Sequence, residues 1–452
     1  MIYYRACPSP PRMRTKVLVV GGGGREHAIV EALVRDGAEV YAAMRNRNPG
    51  IARAAKGFRL LNETDVPEVA EFASSTGAEI AVIGPEAPLE AGLVDELLRR
   101  GIGCVGPSQA AARLETSKRF ARRLLKKHGI PGNVAFGTFQ DYEAAKLFVE
   151  GFPGELVVKP EGLTGGKGVK VEGEHLRGKE EVLAYVREVL DNRIGGGGVV
   201  LEERLVGEEF TLQAFCDGRN VRGMPLVQDH KRAYEGDVGP NTGGMGSYTD
   251  ADHLLPFVTE EDRERAMDIM QRTVQAMRAE GTPYRGVLYG QFMLTRDGPK
   301  VIEFNARFGD PEAMNVLTLL PNGLLDACLG VADGHLKGDV PFLRKATVCK
   351  YVVPAGYGTA PRAGMPVKVD EGALARTGAR LYYAAVEERD GTIYTTTSRA
   401  LGVVGMADSI EEAEAICEAG LANVAGDVLV RHDIGRAELV RKRVEHMRQV
   451  RG

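Results

Sequence analysis

The sequence predicts a multidomain α/β and α+β protein: a doubly wound N-terminal domain, a middle domain with a glycine-rich flap, and a small α+β C-terminal domain. Three observations carry this expectation. From Lys16 to Val105, short apolar runs alternate with amphipathic helical stretches, the pattern of a parallel doubly wound sheet. In the middle, a glycine-rich loop runs from strand to strand. After Pro341 the chain turns strand-rich again and ends that run in a helical stretch.

In order, Lys16 to Val20 is an apolar strand that ends in Gly21 to Gly24, and a helix follows through Asp36. Glu39 to Met44 is the next strand. Helix 66–75, strand 79–83, helix 89–100 and strand 102–105 complete the alternation. The Gly84-Pro85-Glu86-Ala87-Pro88 loop leaves the carboxyl end of its strand, where such sheets bind ligands. Ser108 to His128 reads as one basic helix. Leu156 to Lys159 and Val169 to Glu172 are strands that flank the flap, and Val199 to Glu203 is another. Phe210 to Cys216 and Val221 to Leu226 form a hairpin. Helix 259–280 precedes two strands that turn at Asp297-Gly298, a hairpin signal. Helix 311–334 closes this unit. Strands near 346–352, 381–386, 392–397 and 401–405 and a helix at 409–424 form the tail. The expected divisions are a disordered extension (1–14), an N-terminal domain (15–117), a middle domain (118–337, flap subdomain about 133–204) and a C-terminal domain (338–452).

A net charge of −4 gives no footprint for nucleic acid or acidic membranes, so an anionic ligand must be bound locally. Cys7, Cys104, Cys216, Cys328, Cys349 and Cys417 form no CxxC pair and read as free thiols of a reducing compartment. No apolar run reaches membrane-spanning length, and the first fifteen residues lack the apolar core of a signal peptide. The expectation is a cytoplasmic protein, with Met13 as a second candidate start.

The richest segment is Gly286 to Glu312. Period two puts Glu303 and Asn305 on one face of their strand, and Gln291 can reach that face from the neighbouring strand. Three oxygen-bearing side chains suit Mg²⁺ shared with phosphates. Arg307, Asp310 and Glu312 follow in a Gly-Asp-Pro turn. The N-terminal glycine run does not fit a dinucleotide fingerprint: Glu26 stands where Gly or Ala is wanted, and no acidic residue ends the second strand. It remains a glycine loop at a helix start, able to hold a phosphate on backbone N–H groups, with Arg25 and His27 adding charge. The loop Lys159-Pro160-Glu161-Gly162-Leu163-Thr164-Gly165-Gly166-Lys167-Gly168 is not a Walker loop, because no Ser or Thr follows the lysine. It can fold over phosphates as a flap, with Lys159 and Lys167 as contacts. Glu202-Glu203-Arg204-Leu205 and Glu209 form a hinge offering backbone groups to an adenine edge and a carboxylate to ribose. Gln228 to Arg232 sets Asp229 beside cations, and Gly239 to Gly246 is an anion-binding concavity of turn formers.

Together these elements resemble the ATP-grasp superfamily, and within it the phosphoribosylamine–glycine ligase (glycinamide ribonucleotide synthetase) family. The residues that carry the resemblance are Gly23 to His27, Gly84 to Leu89, Gln228 to Arg232, Gly239 to Gly246 and Glu303 to Glu312. It covers nearly the whole chain from Lys16. The flap departs from the commoner acidic-Gly-Leu-Ala-Ala-Gly-Lys-Gly string but keeps its glycines and Lys167. Asn46 to Gly50 departs from the usual Pro-Gly-Asn turn, and no contact is assigned there.

The resemblance implies a pre-ATP-grasp domain, an ATP-grasp domain and a C-terminal domain. It implies that ATP, glycine and 5-phosphoribosylamine give the ribosyl glycinamide of purine biosynthesis, ADP and phosphate, through glycyl phosphate. Gln291, Glu303 and Asn305 would hold Mg²⁺ or Mn²⁺. Lys118 and Lys159 would contact phosphates, and Lys167 with Gly165, Gly166 and Gly168 would close the flap. Glu202, Glu203, Arg204 and Leu205 would hold adenine, and Glu209 the ribose. Asp229 would receive the glycine ammonium. Arg307 would stabilise the carboxylate or the transferring phosphoryl group, with Asp310 and Glu312 beside the substrates. Gly23, Gly24, Arg25, Glu26, Pro85, Glu86, Asn241, Thr242, Gly243 and Gly244 would take the ribosyl amine. A monomer or homodimer is expected. Two rivals are another ATP-grasp carboxylate–amine ligase, opposed by GPNTGGMG and GDPE, and a nucleotide-binding oxidoreductase, opposed by the missing third glycine. A nucleotide sensor without turnover is opposed by the intact Gln291, Glu303, Asn305 and Arg307 set.

Overall fold

The computed structural model describes residues 14–163 and 168–452. The N-terminal sheet is built from β1 (Lys16–Val20), β2 (Glu39–Met44), β3 (Gly57–Leu60), β4 (Ile80–Ile83) and β5 (Gly103–Val105). Their order is β3-β2-β1-β4-β5, and every pairing is parallel. Leu18, Val20, Ala81 and Ile83 face one apolar core, while Val17, Val19, Ile80 and Val82 face another, which is why these strands are apolar without alternation. The order reverses between β1 and β4. The glycine loop after β1 and the Gly84-Pro85-Glu86 loop after β4 therefore flank one crevice.

Three expected helices are each two. The stretch 89–100 divides at Gly92 (φ 85°) into Glu86–Glu90 and Leu93–Arg99. The stretch 108–128 divides at Ser117, whose hydroxyl accepts the Phe120 N–H and starts Lys118–Lys127 after Gln109–Thr116. The stretch 311–334 divides at Pro321-Asn322-Gly323 into Glu312–Thr318 and Leu324–Asp333. The Ser117 break turns Lys118 and Arg122 toward the middle domain.

The middle domain holds two four-stranded sheets and the two-stranded β13–β14 ribbon (Arg232–Tyr234 with Val238–Asn241). β6 (Phe136–Phe139), β7 (Leu156–Pro160), β8 (Lys170–Val171) and β9 (Val199–Glu203) form the flap sheet, ordered β6-β9-β7-β8. The expectation for Thr164, Gly165, Gly166 and Lys167 lies outside the described residues. β10 (Glu208–Asp217), β11 (Val221–Gly223), β12 (Gln228–Asp229), β13 (Arg232–Tyr234), β14 (Val238–Asn241), β15 (Gly246–Thr249), β16 (Arg285–Thr295) and β17 (Gly298–Asn305) follow in the chain. The second sheet runs β11-β10-β16-β17. One face carries Phe210, Leu212, Phe292 and Phe304 into the core. The other carries Glu209, Thr211, Tyr289, Gln291, Glu303 and Asn305.

β12 and β15 leave this sheet and pair with β18 (Ala346–Pro354), which continues to strands Leu401–Ala407 and Arg380–Tyr383. One sheet thus carries the Gln228-Asp229 segment into the C-terminal part of the chain. Among the described residues, no helix is long and apolar enough to cross a membrane.

Candidate active site

A cleft of about 810 Å³ lies between the β10–β16–β17 sheet, the flap sheet and the crevice of the N-terminal domain. Its walls include Arg25, Pro85, Glu86, Lys118, Lys159, Glu202 to Leu205, Glu209, Asp229, Asn241 to Gly243, Gln291, Glu303, Asn305, Arg307, Asp310 and Glu312. Residues from the N-terminal, middle and C-terminal parts of the chain therefore line one cleft. Gly23, Gly24, Glu26, Gly168 and Gly244 are not among its lining residues.

The centre is the register of β16 on β17. Gln291 stands opposite Glu303, and Tyr289 opposite Asn305. A bulge at Ile302 shifts the phase, so Val301 and Phe304 are both buried in the core while Glu303 and Asn305 face the cleft. The Gln291 amide nitrogen donates to Glu209 Oε2 (2.5 Å), which leaves its carbonyl end for a cation. Asn305 Oδ1 accepts from Arg307 Nη2 (3.3 Å). Among the described residues no group donates to the Glu303 carboxylate. Burial would raise its pKa, but Lys231, Lys159 and Lys118 outweigh burial and hold it below the usual range. An ionised carboxylate with no direct partner, beside two amide oxygens, is a hard-oxygen donor set that fits Mg²⁺ or Mn²⁺.

Behind this centre the flap side is tied down. Arg122 Nε and Nη2 donate to Glu202 Oε1 and Oε2 (2.7 and 2.8 Å), and Lys159 Nζ lies 2.8 Å from Glu202 Oε2. Burial opposes ionisation of Glu202, yet Arg122 and Lys159 bring its pKa down to about 2. The carbonyl of bulged Ile302 accepts from both Arg122 Nη2 (3.0 Å) and Lys159 Nζ (3.1 Å). Lys118 Nζ donates to Gly162 O (3.0 Å) at the start of the flap loop, and burial lowers its pKa. Arg204 turns to Glu155 (2.6 Å), so its backbone, not its guanidinium, is what the hinge offers.

Arg307 bridges to the N-terminal domain. Its Nε is 3.3 Å from Glu86 Oε2 and its Nη2 3.2 Å from Glu115 Oε1. Glu115 Oε2 also accepts the Ala306 N–H (2.7 Å). Burial pushes the Glu115 carboxyl up to about 7 despite Arg307. Burial also pushes Asp229 up to about 7 against the pull of Lys231, with Glu312 and Glu209 adding repulsion. Lys231 Nζ is 3.3 Å from Glu209 Oε2. Glu312 Oε1 accepts from the Tyr289 hydroxyl (2.8 Å), which accepts from Thr211 Oγ1 (3.0 Å).

The glycine loop is arranged differently from its sequence reading. Glu26 Oε2 accepts the Gly23 N–H (2.6 Å) and Glu26 Oε1 accepts from Arg25 Nε (2.6 Å). Arg25 Nη1 donates to Phe308 O (3.0 Å), joining this loop to the Arg307 turn. His27 adds no charge there. Its Nδ1 accepts the Tyr383 N–H (2.8 Å), and its ring stacks on Tyr383 of the C-terminal part. Glu115, Arg122, Tyr289 and Arg399 are site residues that the motif reading did not single out. Their partners lie far away in sequence, so spacing carried no signal for them.

Comparison with known proteins gives the same picture. Residues 15–115, 116–313 and 347–437 match the N, ATP-grasp (A) and C domains of phosphoribosylglycinamide synthetase. A phosphoribosylamine–glycine ligase of Methanothermobacter thermautotrophicus is 56% identical over 437 residues, covering 96% of this chain and 100% of its own length. The crystal structure of a Thermotoga maritima phosphoribosylamine–glycine ligase superposes with a TM-score of 0.80 at 30% identity, over 93% of this chain and 100% of that one. A biotin carboxylase domain of Hydrogenobacter thermophilus 2-oxoglutarate carboxylase, solved with MgADP and bicarbonate, shares the fold (TM-score 0.72, 18% identity, 97% and 94% coverage).

Proposed function

The chain belongs to the phosphoribosylglycinamide synthetase family, and from that premise we infer that it ligates glycine to 5-phosphoribosylamine. It is an ATP-dependent ligase of the ATP-grasp fold. The specific reaction is ATP, glycine and the ribosyl amine giving the phosphoribosyl glycinamide, ADP and phosphate, a step of purine biosynthesis. The observation that carries this reading is the ionised Glu303 carboxylate, without a direct donor among the described residues, set opposite Gln291 and within the field of three lysines.

The chemistry divides into two displacements. A glycine carboxylate oxygen attacks the terminal phosphorus of ATP, and the bond to ADP breaks. The ribosyl amine then attacks the carbonyl carbon of glycyl phosphate, and the carbon–oxygen bond to phosphate breaks. Neither step needs a protein nucleophile, so the residues act by positioning and charge. Mg²⁺ or Mn²⁺, held by Gln291, Glu303 and Asn305, would neutralise charge on the nucleotide phosphates.

Lys118, Lys159 and the flap residues Gly165 to Gly168 with Lys167 serve the phosphates in this reading. Glu202 to Leu205 serve adenine through backbone, and Glu209 the ribose. Asp229 receives the glycine ammonium. Burial disfavours its charged form when empty, and an arriving ammonium draws it back to the carboxylate. Arg307 stabilises the reacting carboxylate or phosphoryl group, flanked by Asp310 and Glu312. Arg25, Pro85, Glu86, Asn241, Thr242 and Gly243 serve the ribosyl amine, with Gly23, Gly24, Glu26 and Gly244 in the same segments of chain. A cytoplasmic setting is supported by Cys104, Cys216, Cys328, Cys349 and Cys417, all free and buried.

The test is ADP release by purified protein with ATP and Mg²⁺, the ribosyl amine generated in situ, and glycine and the amine omitted in turn. Dependence on both, with a glycine-mass adduct on the amine, is expected. Undiminished release with another amino acid or amine would move the substrate assignment.

A further inference from the structure

Arg399 lies in the C-terminal part of the chain, 156 residues from Gly243 and 89 from Asp310, yet it lines the cleft beside both. Its Nη1 donates to the carbonyls of Gly243 (2.6 Å), Gly244 (3.1 Å) and Asp310 (2.8 Å). Its Nη2 is 3.2 Å from Asp310 Oδ2. The guanidinium lies over the Tyr351 ring, 4.4 Å from its centroid, and the Tyr351 hydroxyl donates to Asp310 Oδ1 (2.5 Å). Both oxygens of Asp310 are thus held by the C-terminal part. On its other side the loop is pressed against the Gly-Asp-Pro turn: Gly244 has φ 106°, and a Cβ there would sit 2.7 Å from Pro311 Cδ. The N–H groups on either side of Gly243 are taken. Thr242 N–H goes to Lys231 O (2.8 Å) and Gly244 N–H to Thr242 Oγ1 (3.1 Å). Among the described residues no group accepts the N–H of Gly243, which lines the cleft.

We propose that Arg399 is a positioning residue for the acceptor-amine subsite. It draws the Gly243 and Gly244 carbonyls away, fixes the loop against Asp310, and so leaves the Gly243 N–H for an anionic oxygen such as the phosphate of the ribosyl amine. The C-terminal domain, through Arg399 and Tyr351, thereby completes a subsite whose contacting groups all belong to other segments. Lysine cannot replace this group, since its ammonium has no donor to spare for the Asp310 carboxylate beside the three carbonyls and no planar face to stack on the Tyr351 ring. The inference rests on the functional reading above.

The test is calorimetric binding of the reaction product, N1-(5-phosphoribosyl)glycinamide, to Arg399→Lys, with KM for ATP and Tm measured alongside. Loss of charged hydrogen bonds of this kind should weaken product binding roughly 10–100-fold. KM for ATP should stay within about twofold, and added guanidinium should restore product binding to Arg399→Ala. Tyr351→Phe keeps the ring and removes one Asp310 contact; a several-fold weakening is expected there. Wild-type product affinity in Arg399→Lys, or equal losses for ATP and product, would overturn the proposal. Failure of the wild-type protein to bind the product would instead overturn the functional reading.

Discussion

Glu202, on the flap sheet, and Glu303, on β17 of the second sheet, line one cleft, and the contrast between them separates what holds the fold from what serves the reaction. Glu202 is 4% exposed and meets Arg122 through two hydrogen bonds and Lys159 through a third close contact. Glu303 lies in the field of Lys231, Lys159 and Lys118 but has no direct donor among the described residues. Both are ionised, and for opposite reasons. The first is satisfied inside the protein. The second is kept charged through space and left open, an arrangement that suits a cation arriving with a nucleotide.

Breaking the satisfied member should give the largest effect. Glu202→Gln leaves Arg122 and Lys159 as buried charges short of a counter-ion, a loss on the order of 3–5 kcal/mol. Chemical denaturation should show it as a lower midpoint at unchanged slope. A loss of activity with full stability would mean that Glu202 is a ligand-binding group and would collapse the contrast. Glu303→Gln should do the reverse. It should lower kcat on the order of 10²–10³-fold with little change in Tm. An unaltered Mg²⁺ dependence of ADP release would remove Glu303 from the metal site.

These two residues also mark where sequence reasoning reached and where it stopped. The N-terminal sheet was legible because runs such as Lys16 to Val20 are apolar on both faces, as buried parallel strands must be. Gln291, Glu303 and Asn305 were legible because period two and the Asp297-Gly298 turn fix a ladder. The bulge at Ile302 was not, since it depends on pairing, although Val301-Ile302 already breaks strict alternation. The helix breaks at Gly92 and Ser117 were hidden in continuous helical patterning. Glu115, Arg122 and Arg399 act across long sequence separations, so no local pattern marks them. His27 was misread for the same reason. Its partner Tyr383 is 356 residues away.

Glu312 offers an intermediate case. It is buried, and one oxygen takes a hydrogen bond from Tyr289. Tyr289→Phe removes that donor and also the acceptor of Thr211, leaving two buried groups short of partners. The expected cost is about 1–3 kcal/mol of stability, between the extremes set by Glu202 and Glu303. Thermal denaturation at fixed pH measures it. A neutral result would place Glu312 with Glu303, among carboxylates held open for substrate.

The smallest effect is a slope against pH, and it tests whether Glu115 belongs with the satisfied or the open carboxylates. Burial raises its pKa in the folded chain to about 7 from the ordinary carboxyl value of 4.5. A raised carboxyl contributes its stability fully below the unfolded value and loses it as pH rises through the folded value. Glu115→Gln keeps an acceptor for the Ala306 N–H and cannot ionise. The Tm of wild type minus that of the variant should therefore be nearly flat below about pH 4.5 and fall between about pH 5 and about pH 8. A flat difference across that window would mean that Arg307 holds Glu115 ionised throughout, as Arg122 and Lys159 hold Glu202. A falling one would make Glu115 a carboxyl that the fold prefers protonated, whose charge appears only near neutrality, where it steadies Arg307 beside the end of β17.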